Sequence, residues 1–70
     1  MERIAVQSRD IAIVGYEAEN LMLEVAFRDG GVYRYQNVPQ EIYRRFMDAP
    51  SMGTFFSEKI KTAYPYEKIH

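Results

Sequence analysis

Along the chain, apolar residues recur first at every second position and later at every third or fourth, and this change of period sets the expected fold. Residues Ile11 to Tyr16 are rich in β-branched and aromatic side chains, and Leu21, Leu23, Val25 and Phe27 alternate with Met22, Glu24, Ala26 and Arg28. Both runs read as strands. Glu17, Ala18, Glu19 and Asn20 form a polar connection in which Asn20 can take a positive φ, so the two strands are expected as an antiparallel hairpin. Asp29, Gly30 and Gly31 then interrupt the chain before a third run, Val32 to Gln36.

Two registers compete for this second hairpin. A two-residue loop of Asp29 and Gly30 pairs Phe27 with Val32 and sends Tyr33 and Tyr35 to the face of Glu24 and Ala26. A three-residue loop of Asp29, Gly30 and Gly31, closed by a glycine bulge, pairs Phe27 with Tyr33 and Val25 with Tyr35. The second is preferred because it gathers Leu23, Val25, Phe27, Tyr33 and Tyr35 on one apolar face. Arg34 then lies on the wet face beside Ala26, diagonal to Glu24 and Arg28.

After Asn37 the period lengthens. Pro39 suits a first helical position, Glu41 lies in the first turn, and Ile42, Tyr43, Phe46 and Ala49 share a face. Ser51 is an N-cap for a second helix that gathers Met52, Phe55, Phe56, Ile60, Ala63 and Tyr64 and stops at Pro65. Residues 64–70 read as a loose tail unless Tyr66 and Ile69 dock. Ile4 and Val6 either form a short N-terminal edge strand or lean on the core. The expected class is α+β: a three-stranded antiparallel β-meander, with that possible edge strand, followed by two α-helices packed on one face.

Composition narrows the functions available. The chain has 70 residues, 47% hydrophobic and 27% charged, with ten aromatic rings (six Tyr, four Phe) and no cysteine. That is the size of one domain, 1–70, whose core must be dense because a domain of this length buries only about 60% of its unfolded surface. Without cysteine there is neither a thiol nucleophile nor a thiolate zinc site. No run of 18 apolar residues and no secretory leader is visible, so the expected location is the cytoplasm, with no membrane partner. The net charge is −1, with four basic against six acidic residues up to residue 35 and five against four beyond it. Long-range attraction to nucleic acid is correspondingly weak.

The chain resembles a known family through Val6 and Ser8, Gly15-Tyr16, Leu23 to Phe27, the central Tyr33-Arg34-Tyr35, Val38-Pro39, Ala49-Pro50-Ser51-Met52-Gly53, Phe56 and Ile60. This ordered set is similar to the KTSC family, named for the C-terminal extension of some lysyl-tRNA synthetases and found also as free-standing bacterial domains. The resemblance implies a small domain of unestablished function with RNA as a suggested ligand. It departs at Arg9, which stands where the family commonly has the second residue of a Ser-Ser pair.

Three groups of residues are candidates for binding. Tyr33 and Tyr35 with Arg34 between them have the residue types that stack on unpaired bases, provided the rings meet solvent; buried, they are core aromatics. Arg44 and Arg45 lie on the outer side of the first helix, where they can contact phosphate or simply be solvated, with Glu41 as an i to i+4 partner of Arg45. Ser51 and Gly53 open the second helix, where free N–H groups can hold an anion or Ser51 can merely cap. Their spacing is not that of a P-loop. The single histidine, His70, sits on the segment expected to fray, so an enzyme, a metal site and a bound cofactor are not expected. The candidate partners are RNA, or else another protein chain or a second copy, held at a sheet edge or by outward apolar residues such as Met22 and Val14.

Overall fold

The computed structural model describes all residues, 1–70. The class is α+β as expected, but the sheet has five antiparallel strands rather than three. They are β1 (Glu2–Ala5), β2 (Ile11–Glu17), β3 (Met22–Phe27), β4 (Val32–Tyr35) and β5 (Tyr66–Lys68), in the spatial order β1-β2-β3-β4-β5. Between β4 and β5 the chain forms α1 (Gln40–Asp48) and α2 (Met52–Phe55), and α2 runs straight into a π-helical turn, Phe56–Ile60.

The N-terminal segment takes the first of its two expected forms, a short edge strand, and the C-terminal strand corrects the expected loose tail. Ile4 belongs to an edge strand, paired opposite Val14, instead of leaning on the core. Residues 64–70 are not a loose tail. Tyr66 pairs with Tyr35 and Lys68 with Tyr33, and the backbone of His70 both donates to and accepts from Val32.

The hairpin between β2 and β3 turns through Ala18 to Leu21, and the positive φ falls on Leu21 (53°), not Asn20, whose side chain instead donates to Glu17 Oε1. The hairpin between β3 and β4 uses the expected three-residue loop with a glycine bulge, moved back by one residue. Gly30 N–H donates to the Phe27 carbonyl, Gly30 has φ 102°, and Phe27 N–H donates to the Gly31 carbonyl. Moving the loop one residue shifts the pairing by two. Val25 therefore lies opposite Tyr33, Leu23 opposite Tyr35, and Arg34 directly opposite Glu24. The side-chain period being two, the tyrosines keep their expected face.

That inner face is sealed by the helical layer. Val14, Leu23, Val25, Tyr35, Val38, Phe46, Phe56 and Ile60 are buried together with Ile11. Val14, expected as an outward apolar residue, is fully buried, and Met22 is half-buried. α1 is anchored by Tyr43, whose ring stacks on Tyr16 at 4.4 Å and 6°, while Tyr16 Oη donates to the Val38 carbonyl at 2.6 Å. Pro39 caps α1 rather than opening it. In the π-helical turn, Lys61 N–H donates to the Phe56 carbonyl five residues back. The wider turn keeps Phe56 and Ile60 in the core and leaves Ala63 exposed, against the even helical face expected from the spacing.

The outer face is not simply wet. Glu24 is 6% exposed. Arg3 Nε donates to its Oε2 at 2.7 Å, and Arg34 Nε to its Oε1 at 3.0 Å. Arg3 reaches Glu24 across Gly15, which lies between them in the sheet and where a Cβ would stand 3.2 Å from Arg3 Cγ. The row of opposed residues Arg3, Gly15, Glu24, Arg34 and Glu67 thus crosses all five strands with alternating charge.

Candidate functional site: a tyrosine cleft

The alternation of β4 separates the residues that the sequence groups together. Tyr33 and Tyr35 face the helices while Arg34 faces the opposite side against Glu24, so the three do not form one site. Tyr35 is 3% exposed and its ring meets Phe56 edge-on at 5.4 Å. Tyr33 is half-buried against Phe27 at 5.8 Å.

Between the β3–β4 turn, the π-helical turn and β5 an open cleft of about 810 Å³ remains, floored by Phe27, Tyr33 and Tyr35. Its other walls come from residues that sequence reasoning did not connect with the site. β5 sets Tyr66 beside both floor tyrosines, at 5.8 Å from Tyr33 and 5.5 Å from Tyr35, and leaves that ring 58% exposed. Lys68, two residues on and therefore on the same face, holds its Nζ 6.0 Å from the Tyr33 ring centroid. Lys61, Ser57 and Phe56 line the helical wall, and His70 closes the end. Nothing in the sequence marks β5 as a strand: Tyr66, Glu67, Lys68 and Ile69 do not alternate, and three residues are too few to read as one.

The hydroxyls in this cleft are uncommitted. Among the tyrosines only Tyr16 donates a side-chain hydrogen bond within the protein, and the Tyr35 hydroxyl opens onto the cleft. Burial, reinforced by neighbouring Tyr66 and Tyr33, pushes the Tyr35 phenol up to about 12, which keeps it a neutral donor at physiological pH. The cleft therefore offers rings that meet edge-on or tilted at its base, a hydroxyl that can donate or accept, and two lysines at the rim, with Asp10 and Asp29 also on its border.

The remaining candidates lie elsewhere. Arg44 and Arg45 are exposed on α1, and Arg45 lies 5.9 Å above the Phe55 ring rather than against Glu41. Ser51 Oγ accepts from Thr54 N–H and donates to Thr54 Oγ1, so it is a cap. Ser51 and Gly53 border a second cleft of about 860 Å³ between residues 4–10 and the α1–α2 corner, and Gly53 also reaches the tyrosine cleft. The Asp10 carboxylate stands 3.6 Å from the position a Cβ would take on Gly53, which sets negative charge beside that helix start and disfavours an anion there. No helix is long and apolar enough to cross a membrane.

Residues 7–64 match the KTSC domain. A solved structure of a KTSC domain protein from Yersinia pestis superposes with a TM-score of 0.94 at 40% identity, covering 99% of this chain and 97% of that one. A protein of Stutzerimonas stutzeri is 39% identical over 70 residues, 99% of each chain. A lysine–tRNA ligase of Trichormus variabilis is 35% identical over 54 residues, which make up 77% of this chain and 10% of that enzyme.

Proposed function

From its membership of the KTSC domain family, we propose that this chain is a small cytoplasmic, non-catalytic binding module that takes unpaired RNA bases into the tyrosine cleft. One observation carries the reading: Tyr66 is 58% exposed although it rests on Tyr33 and Tyr35. A ring placed on a rigid aromatic floor but left open to solvent is a stacking platform, and each stacked base contributes about 1–3 kcal/mol. Lys61 and Lys68 at the rim supply charge for the phosphates that flank a bound base. The shared segment in lysine–tRNA ligases supports RNA over other flat ligands.

The overall charge of −1 limits affinity, because only two lysines, opposed by Asp10 and Asp29, act near the cleft. Two phosphate contacts to a single strand give a slope of about −1.4 in log K against log salt, so raising salt fourfold weakens binding roughly sevenfold. The test is a titration of the folded domain with a short single-stranded RNA at those two salt concentrations, followed residue by residue by NMR. Shifts gathered on Tyr33, Tyr35, Tyr66 and Lys68, with that salt dependence, support the reading. Shifts confined to Arg44, Arg45 or Arg34, or none at millimolar RNA, refute it.

A further inference from the structure

We infer that β1 is a self-association edge, which joins two copies of this chain antiparallel into one continuous sheet. The argument begins with which backbone groups are free. Val6 N–H donates to the Ala12 carbonyl at 3.0 Å, and residues 2, 4 and 6 share that side of the strand. Backbone N–H and C=O directions alternate along a strand, so those of Arg3 and Ala5 point away from β2 and have no strand beside them.

A two-fold axis perpendicular to the sheet keeps inner residues with inner and outer with outer. Within β1 it allows one register that uses both free residues: Arg3 opposite the partner's Ala5, Ala5 opposite the partner's Arg3, and Ile4 opposite the partner's Ile4. This register makes four backbone hydrogen bonds and puts the two Ile4 side chains in the close, non-hydrogen-bonded position. Ile4 is 42% exposed in the monomer, and the cleft of about 860 Å³ beside it leaves room for the partner's side chains. Arg3, the one outward-facing charge that could guard the edge, is already engaged with Glu24.

The other edge has the opposite design. In β5 the register with β4, together with the bond from Gln36 N–H to the Pro65 carbonyl, leaves the backbone N–H and C=O of Tyr66 and Lys68 pointing away from β4. Pairing two copies there sets Glu67 against the partner's Glu67 at the closest approach, and like charges so opposed repel. The molecule is thus open at β1 and guarded at β5, which makes the assembly a closed dimer rather than a filament.

Four residues per copy bury far less than the roughly 800 Å² per partner of a stable complex, so the dimer is weak, with Kd on the order of 0.1–1 mM. Sedimentation of the full chain between about 20 µM and about 2 mM brackets that range. The mass should rise from one chain toward two, and amide exchange at Arg3 and Ala5 should slow over the same interval. Ile4→Glu, which sets two carboxylates across the axis, should weaken association at least about tenfold. One-chain mass at the highest concentration overturns the inference. So does a dimer in which exchange at Arg3 and Ala5 is unchanged. If Ile4→Glu does not fold, the exchange measured on the unaltered chain decides alone. None of these readouts involves RNA, so failure here leaves the tyrosine cleft untouched.

Discussion

Two phenols in this fold differ in what their hydroxyls hold, and replacing each by phenylalanine separates them. Tyr16 Oη donates at 2.6 Å to the carbonyl of Val38, a fully buried residue in the link that launches α1. Tyr16→Phe keeps the ring stacked on Tyr43 but strips that carbonyl of its donor. Leaving such an acceptor unpaired costs about 1–3 kcal/mol, and the bond's water access at the rim of the core places this one at about 1–2 kcal/mol. In a domain of this length each kcal/mol lowers Tm by about 4–8 °C, so Tyr16→Phe should melt about 5–15 °C below the unaltered chain. Tyr35→Phe loses a hydroxyl with no partner in the protein and should change stability by less than about 0.5 kcal/mol. Thermal and urea unfolding followed by circular dichroism reads both. Equal losses, or a neutral Tyr16→Phe, refute the assignment of these hydroxyls. A stable Tyr35→Phe that binds RNA more weakly shows that the hydroxyl serves the ligand.

The Glu24 carboxyl is held below its ordinary 4.5 by the hydrogen bond from Arg3, with Arg34 assisting and burial opposing. Its contribution is therefore complete above pH 4.5 and disappears as pH falls through the lower folded value. Glu24→Gln should be less stable than the unaltered chain at neutral pH and converge with it in acid, as urea melts across that range will show. The Tyr35 phenol should ionise near 12 because burial beside Tyr66 and Tyr33 raises it; its contribution is fully present below pH 10 and is lost as pH climbs toward 12. Ultraviolet phenolate titration checks it, and Tyr35→Phe should remove the step near 12. Leu21 holds φ 53° at an exposed turn, so Leu21→Gly should relieve left-handed strain and stabilise by a few tenths to about 1 kcal/mol, read from the urea midpoint.

What the sequence disclosed was what burial imprints on it. β3 alternates because one face is sealed, and the face of Tyr33 and Tyr35 was legible even though the loop sat one residue away, since a shift of two leaves parity intact. β1 and β5 are exposed at every position, so pairing alone orders them and no alternation betrays them. For that reason Tyr66 and Lys68, which line one wall of the cleft, appeared only as a tail. Glu24 reads as a solvated strand residue until Gly15 is seen to clear the path for Arg3. The π-helical turn is equally invisible, because Phe56 and Ile60 fit a 3.6-residue period just as well. Arg34 shows the limit of adjacency: between two tyrosines in the chain, it is on the far side of the sheet from both.

The account rests on Tyr66 serving as the open ring of a stacking site, and affinity is the direct measure. Fluorescence anisotropy with a labelled single-stranded RNA should find Tyr66→Ala weakened by about 5- to 150-fold, the loss of one stacked base. The paired Arg44→Ala and Arg45→Ala variant should bind within about twofold of the unaltered chain, a difference well under 1 kcal/mol. Full affinity after loss of the Tyr66 ring, or a larger loss from the two α1 arginines, would contradict it.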